Sequence, residues 1–346
     1  MRVLYLGASR DGTTARHRAD ALRRLACEVD HFDLEAALSR QLAGLMGAIH
    51  YRTGYVFTRR AVLDALAGKL KGGQRYDLCW VDSGELISGE ALRCLRQQCT
   101  RIVLFNHDDP TGPRDGRRFH TLRQAVPEYD LCLAVRDFNL PEFKALGARD
   151  VMHVWRGFDE VAHRPVDPNA PVADVYRNDV VFIGRNMDGE GRDLLMHALI
   201  RSGLKTAIWG DNWQRSAVWR DIQPCWRGGS LSGQDYVDAI RGASICIGML
   251  SKGNRDLHTT RTMEIPAAGG LLCAQRTSEH QQLYLESEEA VFWSSPDECV
   301  DQCRRLLGNP ERIKRIRQAG HARLLKNRVG NEDIVRAVFQ RLGVHH

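Results

Sequence analysis

A polar segment in the second half of the chain, residues 251–270, carries residue types that bind an anionic ligand. It follows an apolar run, residues 243–250, that predicts a buried strand, and it leads into a short helix that Gly269 and Gly270 end. Such a loop lies at the carboxyl end of a parallel strand and before a helix N terminus, where unpaired backbone N–H groups attract anions. The side chains that crowd this position are Arg255, His258, Thr259, Thr260 and Arg261, with Glu264 further along the helix.

Glu264 is the residue of this segment whose chemistry suits a sugar. A carboxylate just past a helix N terminus can accept hydrogen bonds from both hydroxyls of a ribose. The residues by themselves leave an alternative open, in which Arg261 and Glu264, three positions apart, form only a surface ion pair. Pro266 is compatible with the helix only in its first turn, so the helix must be short or kinked.

The composition bounds the class of protein. The 346 residues leave room for two domains with cores, and a hydrophobic content of 43% is typical of a globular chain. No apolar run reaches the roughly 20 residues that span a bilayer, and residues 1–7 resemble a strand rather than a signal peptide, so we expect a cytoplasmic location. The ten cysteines form no C-x-x-C pair, so we expect no metal site.

The charge balance bounds the partners. A net charge of +6 favours anionic substrates or an anionic membrane surface, so peripheral membrane contact stays open. No nucleic-acid-binding motif accompanies the charge, and the basic run at residues 304–328 has the apolar spacing of a solvated helix face. We therefore expect no nucleic acid partner.

The order of the elements predicts an α/β protein. Strands and helices alternate through residues 1–158 and again through residues 179–330, which predicts two doubly wound parallel sheets. Residues 159–178 are proline-bearing and aperiodic, as in a linker, and residues 331–346 form a last helix, with packing back on the first domain as one option. Two such domains on one linker leave a cleft, and ligands bind at the carboxyl ends of the strands.

Several motifs in the second half match a known family. They are FIGR (residues 182–185), AIWGDNW (207–213), RTMEIPAAGGLLCA (261–274), LLGNPERIKRIRQAGHARLLKN (306–327) and GFDEVAHRP (157–165). Over roughly the last 190 residues the chain resembles GT-B-fold glycosyltransferases, in particular the CgeB-like (spore-maturation) branch with a glycosyltransferase group 1 C-terminal domain. The resemblance implies two Rossmann-like domains facing a cleft, with an acceptor-side N-terminal domain and a nucleotide-sugar-binding C-terminal domain.

The resemblance also implies roles for single residues. Arg185 fits the family's phosphate-binding arginine, and Arg192 resembles an arginine of the CgeB-like branch, whereas Glu190 stands where the family's lysine is usual. Glu264 fits the ribose-binding glutamate, and Asp256 stands where a first glutamate would contact the donor sugar. The implied donor-binding residues are Arg185, Arg192, Asp256, His258, Thr259, Thr260, Arg261, Glu264 and Trp213.

The implied reaction moves a sugar from a nucleotide-diphosphate sugar to a hydroxyl of a glycan, a lipid-linked or a protein acceptor. The sequence offers positive groups for the diphosphate, and we expect neither a metal nor a cofactor. An inverting enzyme needs a base from the first domain, and His107, Asp108 and Asp109 follow a predicted strand there, although Asp-Asp-Pro also favours a plain turn. Trp213 can line the pocket or belong to the core.

Two other classes of function stay open. A chain of this fold can bind a nucleotide sugar without turnover, as a binding or structural module. It can also be a GT-B-shaped sugar-nucleotide epimerase, which changes the sugar nucleotide with no acceptor present. Acceptor-dependent release of the nucleoside diphosphate distinguishes the glycosyltransferase from both.

Overall fold

The computed structural model of the chain describes residues 1–167 and 169–344. Pro168, in the predicted linker, and His345 and His346, at the end of the predicted last helix, lie outside the described residues. The described residues form two compact units. Unit 1 contains Met1–Trp155, Gly253–Arg255 and the described part of Asn331–His346, and unit 2 contains Arg156–Lys252 and Asp256–Gly330.

Unit 1 is built on a parallel sheet with the strand order β2-β1-β3-β4-β5-β6. Its strands are β1 (Arg2–Leu6), β2 (Glu28–Phe32), β3 (Tyr76–Asp82), β4 (Cys99–Asn106), β5 (Leu131–Ala134) and β6 (Val151–His153). Its first seven helices are α1 (Thr14–Arg24), α2 (Leu34–Ala37), α3 (Gly44–Thr53), α4 (Arg59–Leu70), α5 (Gly89–Arg96), α6 (His120–Ala125) and α7 (Asn139–Ala145). The central strands are buried on both faces, which explains their nearly continuous apolar sequences.

Unit 2 repeats the plan with the strand order β12-β11-β10-β7-β8-β9, again parallel. Its strands are β7 (Val180–Ile183), β8 (Thr206–Trp209), β9 (Trp226–Gly228), β10 (Ile245–Gly248), β11 (Leu272–Gln275) and β12 (Val291–Trp293). Its helices are α8 (Arg192–Arg201), α9 (Trp219–Ile222), α10 (Gly233–Gly242), α11 (Thr260–Ala267), α12 (Ser278–Leu283), α13 (Pro296–Leu307) and α14 (Pro310–Asn327). The prediction of two doubly wound parallel sheets is confirmed.

The last helix, α15 (Asn331–Leu342), belongs to unit 1 although it follows unit 2 in the chain. Its apolar side chains Val335, Val338 and Phe339 are buried, and they join the core cluster that includes Leu22 of α1. The helix therefore closes one face of the first sheet. Because it carries its own buried stripe, α15 is a structural part of unit 1.

Candidate functional site

Two loops of unit 2 carry most of the predicted site residues. They begin at the carboxyl ends of β7 and β10. Arg185 follows β7 and is exposed to solvent. Arg192, at the start of α8, is buried, and its guanidinium donates to the carbonyl oxygens of Arg185 (3.0 Å) and Leu250 (2.8 Å). Arg192 therefore holds the two loops in position, while Arg185 is the arginine that presents its charge outward.

The N terminus of α11 lies next to the loop that carries Arg185. The Nε of Arg261 donates to the carbonyl oxygen of Ile183 (3.1 Å), two residues before Arg185. The N–H of Thr259 donates to Oγ1 of Thr262 (3.1 Å), as in a capping box, whereas the N–H groups of Thr260 and Arg261 have no partner within the helix. The loop of an exposed arginine and a helix N terminus thus lie side by side at the carboxyl end of the sheet, where phosphate binding is common.

Glu264 is buried, with 4% of its surface exposed. Its carboxylate accepts hydrogen bonds from the hydroxyl of Tyr236 (2.7 Å) and from the guanidinium of Arg261, and Nε2 of His163 lies 3.5 Å away. Burial opposes ionisation, but these neighbours outweigh it, and the pKa of Glu264 is lowered. The ion pair with Arg261 exists, but the alternative of a surface pair is wrong, because the carboxylate lies inside the unit.

Pro266 lies in the last turn of α11, so the expectation that it occupies the first turn is wrong. A proline there has no N–H for the carbonyl four residues earlier, which is that of Thr262. The hydroxyl of Tyr284, a buried side chain, donates to that carbonyl at 2.9 Å and replaces the missing bond. The helix keeps its last turn because a side chain supplies the donor that the backbone lacks.

Asp256 and His258 take part in contacts inside unit 2. The carboxylate of Asp256 accepts from the guanidinium of Arg156 (2.9 Å), and Nε2 of His258 accepts the backbone N–H of Arg156 (3.1 Å). Nδ1 of His258 faces the carboxylate of Glu279 at 2.5 Å. Both predicted donor contacts are buried, and these atoms are engaged with Arg156 and Glu279 inside unit 2.

Trp213 belongs to the core of unit 2. None of its surface is exposed, its ring packs edge-on against Phe182, and its indole N–H donates to the carbonyl of Gly184 (2.9 Å). The prediction that Trp213 contacts the donor is therefore corrected. The indole supports the loop that leads to Arg185, because a buried tryptophan needs a partner for its N–H.

A cavity of about 270 Å³ opens in unit 2 beside Arg192. It lies at the carboxyl ends of β11 and β12 as well as at the loops after β7 and β10, and its wall includes Leu250, Gln275 and Trp293. Sequence reasoning missed Gln275 and Trp293. Each residue ends an apolar strand. That position could have identified them, because ligands bind at the carboxyl ends of parallel strands.

In unit 1, the three predicted base candidates differ in their surroundings. Asp109 is buried, and its two oxygens accept from Nε (2.6 Å) and Nη2 (2.8 Å) of Arg255. Burial opposes ionisation, but the hydrogen bonds from Arg255 and from Asn139 (2.9 Å) lower the pKa of Asp109. This carboxylate is committed to a structural ion pair. Asp108 pairs with Arg118 at 3.2 Å.

His107 lines a cavity of about 140 Å³ in unit 1, which lies at the carboxyl ends of β1 and β3. Its Nδ1 lies 3.9 Å from Oδ1 of Asp82. About a third of the His107 side chain is exposed, whereas Asp82 is buried behind it. Of the three candidates, His107 alone combines an open side with a carboxylate at its back.

Asp82 is the centre of a buried network that sequence reasoning missed. It accepts from Nε (2.7 Å) and Nη2 (3.0 Å) of Arg18 and from the hydroxyl of Tyr5 (2.6 Å). Burial raises the pKa of the Asp82 carboxyl, but the charge and hydrogen bonds of Arg18 outweigh it, so the pKa is lowered. The signal in the sequence was an aspartate that ends an apolar strand, Tyr76–Asp82.

Within the described residues, one cluster has the composition of a metal site. The sulfur atoms of Cys273 on β11 and of Cys299 and Cys303 on α13 lie within 4.8 Å of one another, and all three side chains are buried in the core of unit 2. The cysteines are free thiols, and they lie among apolar side chains. The expectation that the protein uses no metal stays a prediction.

None of the described helices is long and apolar enough to span a membrane. A sequence model of the family described as "Glycosyl transferase-like" matches residues 190–335, which lie mostly in unit 2. No curated protein matches the chain in sequence. The CgeB-like branch and the cytoplasmic location stay predictions.

Solved structures resemble the whole chain. Sucrose-phosphate synthase from Thermosynechococcus elongatus is 14% identical, with 99% of each chain covered and a TM-score of 0.71. Anabaena Alr3699/HepE, solved with UDP-glucose, is 13% identical, with 100% of each chain covered and a TM-score of 0.65. A putative UDP-N-acetylglucosamine 2-epimerase from Listeria monocytogenes is 13% identical over 100% of this chain and 97% of its own, with a TM-score of 0.64. At these identities the likeness shows the fold, which is the GT-B fold expected above.

Proposed function

We propose that the protein is a glycosyltransferase that moves a sugar from a nucleotide-diphosphate sugar to an acceptor hydroxyl without a metal. Unit 2 binds the donor, and unit 1 binds the acceptor. The observation that carries the proposal is the hydrogen bond from Arg261 to the Ile183 carbonyl, which brings the N terminus of α11 next to the loop of Arg185. The family match over residues 190–335 supports the assignment of the donor to this unit.

The donor diphosphate binds between Arg185 and the first turn of α11. The side chain of Arg185 supplies a full positive charge, and the N–H groups of Thr260 and Arg261 supply oriented donors. Charge builds up on the diphosphate as the bond to the sugar breaks, so groups fixed in this position stabilise the transition state more than the bound donor. In this proposal these groups neutralise the charge on the diphosphate, a role that a bridging cation has in metal-dependent enzymes.

Glu264 binds the ribose of the donor in this proposal. Its carboxylate is kept ionised by Arg261, His163 and Tyr236, so it remains an acceptor for hydroxyl hydrogen bonds at neutral pH. The cavity beside Arg192 is lined by Leu250, Gln275 and Trp293, and it takes the nucleotide base between apolar and amide groups.

His107 is the group in unit 1 that takes the proton of the acceptor hydroxyl in an inverting transfer. The cavity that it lines gives the hydroxyl access, and Asp82 behind the ring stabilises the imidazolium that forms. Asp108 and Asp109 are engaged with Arg118 and Arg255 and are poorer bases for that reason.

The first test measures donor binding and turnover in Arg185→Gln and His107→Gln. We expect Arg185→Gln to weaken binding of a UDP-sugar by about tenfold to a hundredfold, because a charge-assisted contact to phosphate is lost. We expect His107→Gln to bind the donor normally but to lose about a hundredfold or more of acceptor-dependent UDP release. Calorimetry gives the first quantity, and a coupled assay for UDP gives the second.

Arg201→Gln, at an exposed arginine on α8, is the matched control and keeps both properties. Nucleotide binding with no release of UDP against any acceptor contradicts transfer and favours a binding module. Normal donor binding in Arg185→Gln contradicts the assignment of the diphosphate site.

A sugar-nucleotide epimerase is the second candidate, which the likeness to the Listeria monocytogenes protein favours. An epimerase changes the sugar of its substrate with no acceptor present. Incubation of the protein with UDP-N-acetylglucosamine alone, followed by NMR of the sugar, separates the two candidates.

A further inference from the structure

An apolar surface in unit 1 lies outside both sites. Of the eleven exposed large apolar side chains among the described residues, five lie between residues 45 and 57. Leu45 is 78% exposed and Phe57 is 69% exposed, and Met46, Ile49 and Tyr51 lie between them in the chain. We call the group Leu45, Met46, Ile49 and Phe57 the apolar patch. Such a concentration marks a contact surface, whereas single exposed apolar residues need no explanation.

The segment that carries the apolar patch is anchored to unit 1 at both of its ends. Leu42, before α3, and Tyr55, after it, pack on the core. Gly54, with a φ of +71°, approaches α6 so closely that a Cβ there would lie 2.3 Å from the carbonyl oxygen of Arg117. The hydroxyl of Tyr51 donates to Asp115 at 3.0 Å. The outward position of the apolar patch is therefore set by its anchors.

The segment of sequence that carries the apolar patch is basic. Residues 36–63 contain four arginines and no acidic residue. Arg40, Arg52 and Arg60 are exposed, and Arg60 pairs with Asp64 just beyond the segment. Burial and the charges of Arg117, Arg59 and Arg123 lower the pKa of His120, and the backbone N and Cβ of His120 lie next to Gly54.

We propose that the apolar patch and the arginines around it dock this protein on an anionic lipid bilayer. The leucine, methionine, isoleucine and phenylalanine side chains enter the interfacial region, and the arginine stems extend along it with their charges at the headgroups. This inference goes beyond the proposed function and does not depend on it.

Charge complementarity selects this occupant over two others. A second copy of the chain would bring the same arginine-bearing segment, residues 36–63, against itself in an isologous contact, and the arginines would repel each other. A nucleic acid would satisfy the arginines but would leave Leu45, Met46 and Ile49 without an apolar partner. An anionic bilayer satisfies both the charged and the apolar groups.

The test is co-sedimentation of the full chain with vesicles of phosphatidylcholine alone and of phosphatidylcholine with phosphatidylserine. We expect binding to the anionic vesicles only, with a decrease at high salt because the charges are screened. The double variant Leu45→Ser/Ile49→Ser should bind about tenfold more weakly or worse, since apolar insertion is lost. Arg52→Gln/Arg60→Gln should bind more weakly and show a shallower dependence on salt.

Leu285→Ser/Leu325→Ser is the matched control for the apolar variant, because both leucines are exposed on unit 2. It should bind like the unchanged protein. Circular dichroism and the thermal midpoint establish that each variant is folded. Phe57→Trp tests insertion at this position without removing an apolar group. The fluorescence of the added tryptophan should shift to shorter wavelength with anionic vesicles.

Absence of vesicle binding overturns the proposal, as does equal binding to both kinds of vesicle or an equal loss in the Leu285→Ser/Leu325→Ser control. A concentration-dependent dimer that Leu45→Ser/Ile49→Ser abolishes, together with no vesicle binding, assigns the surface to a second copy and overturns it as well. An unshifted Phe57→Trp spectrum in the presence of anionic vesicles contradicts insertion.

Discussion

At the scale of single residues, burial separates the side chains that present a charge from those that hold the structure. Arg185 lies in the loop after β7 and Arg192 begins the helix that follows it, yet Arg185 is exposed while Arg192 is buried and donates to two carbonyl oxygens. Asp256 and His258 likewise carry the right chemistry for a donor but are committed to Arg156. Residue type therefore suggests a role, and the hydrogen-bond partners decide whether the group is available for it.

The buried ion pair of Arg18 and Asp82 makes the stability of unit 1 depend on pH. The pKa of Asp82 lies below its ordinary value, so the pair stabilises unit 1 above about pH 4 and loses this contribution as the pH falls through the folded-state value. Arg18→Met removes the largest of the effects that oppose burial and leaves those of His107 and Tyr5, so we expect the pKa of Asp82 to rise. We expect a loss of about 3–5 kcal/mol near neutral pH that shrinks at about pH 5, because the folded variant then takes up a proton.

Hydrogen exchange of the β1 and β3 amides measures the free energy of unfolding of unit 1 in both proteins. Arg16→Met is the control, since Arg16 pairs with Asp20 at the surface and its loss should cost within about 1 kcal/mol at either pH. A cost for Arg18→Met that does not change with pH would show that Asp82 is not the group that titrates.

At the scale of elements, α11 shows how a short helix tolerates an internal proline. The sequence predicts the helix, its threonine-rich start and its end at Gly269, which has a φ of +78°. Only the tertiary structure supplies Tyr284, which lies 22 residues after Thr262 and donates to its carbonyl. No local rule could place that hydroxyl. The expectation that Pro266 lies in the first turn of the helix was wrong for this reason.

This replacement predicts a coupling between Tyr284 and Pro266. Tyr284→Phe leaves the Thr262 carbonyl unpaired in a buried place and should cost about 1–3 kcal/mol of stability. In a Pro266→Ala background the new backbone N–H can bond to that carbonyl, so the same change should cost less. Denaturant unfolding of the two single variants and the double variant measures the coupling. Equal costs in both backgrounds would contradict the account.

The other elements show how far local patterns lead. Proline at the first position predicts the starts of α13 and α14, and the structure adds Ser295 and Asn309 as their caps. Continuous apolar runs predict the buried strands of both sheets. The network around Asp82 was not predicted, because Arg18 and Tyr5 reach Asp82 from positions 64 and 77 residues away.

At the scale of the whole molecule, each unit has its own core, and the chain returns to unit 1 for its last helix. Phe339 of α15 is buried in the core cluster of unit 1. Truncation of Phe339 therefore removes packing from residues that precede it by some three hundred positions, such as Val3 and Leu22. The bounds of the predicted linker, residues 159–178, stay a prediction.

Phe339→Ala should lower the stability of unit 1 by about 3–5 kcal/mol, because it removes a buried ring and leaves a cavity. Hydrogen exchange should show faster exchange in β1 and β3 and unchanged exchange in β10 and β11. Gln340→Ala, at an exposed neighbour, is the control and should change neither. Equal loss of protection in both units would show that they do not unfold independently.

The sequence by itself determined the two parallel sheets and the position of a polar turn between β10 and a short helix, because these follow from periodicity and from local backbone chemistry. The tertiary structure alone decided that Asp256 and His258 of that turn are buried, which carboxylate lies behind His107, and that α15 completes the first unit. These outcomes depend on contacts between residues far apart in the chain, and a local pattern carries no information about such contacts.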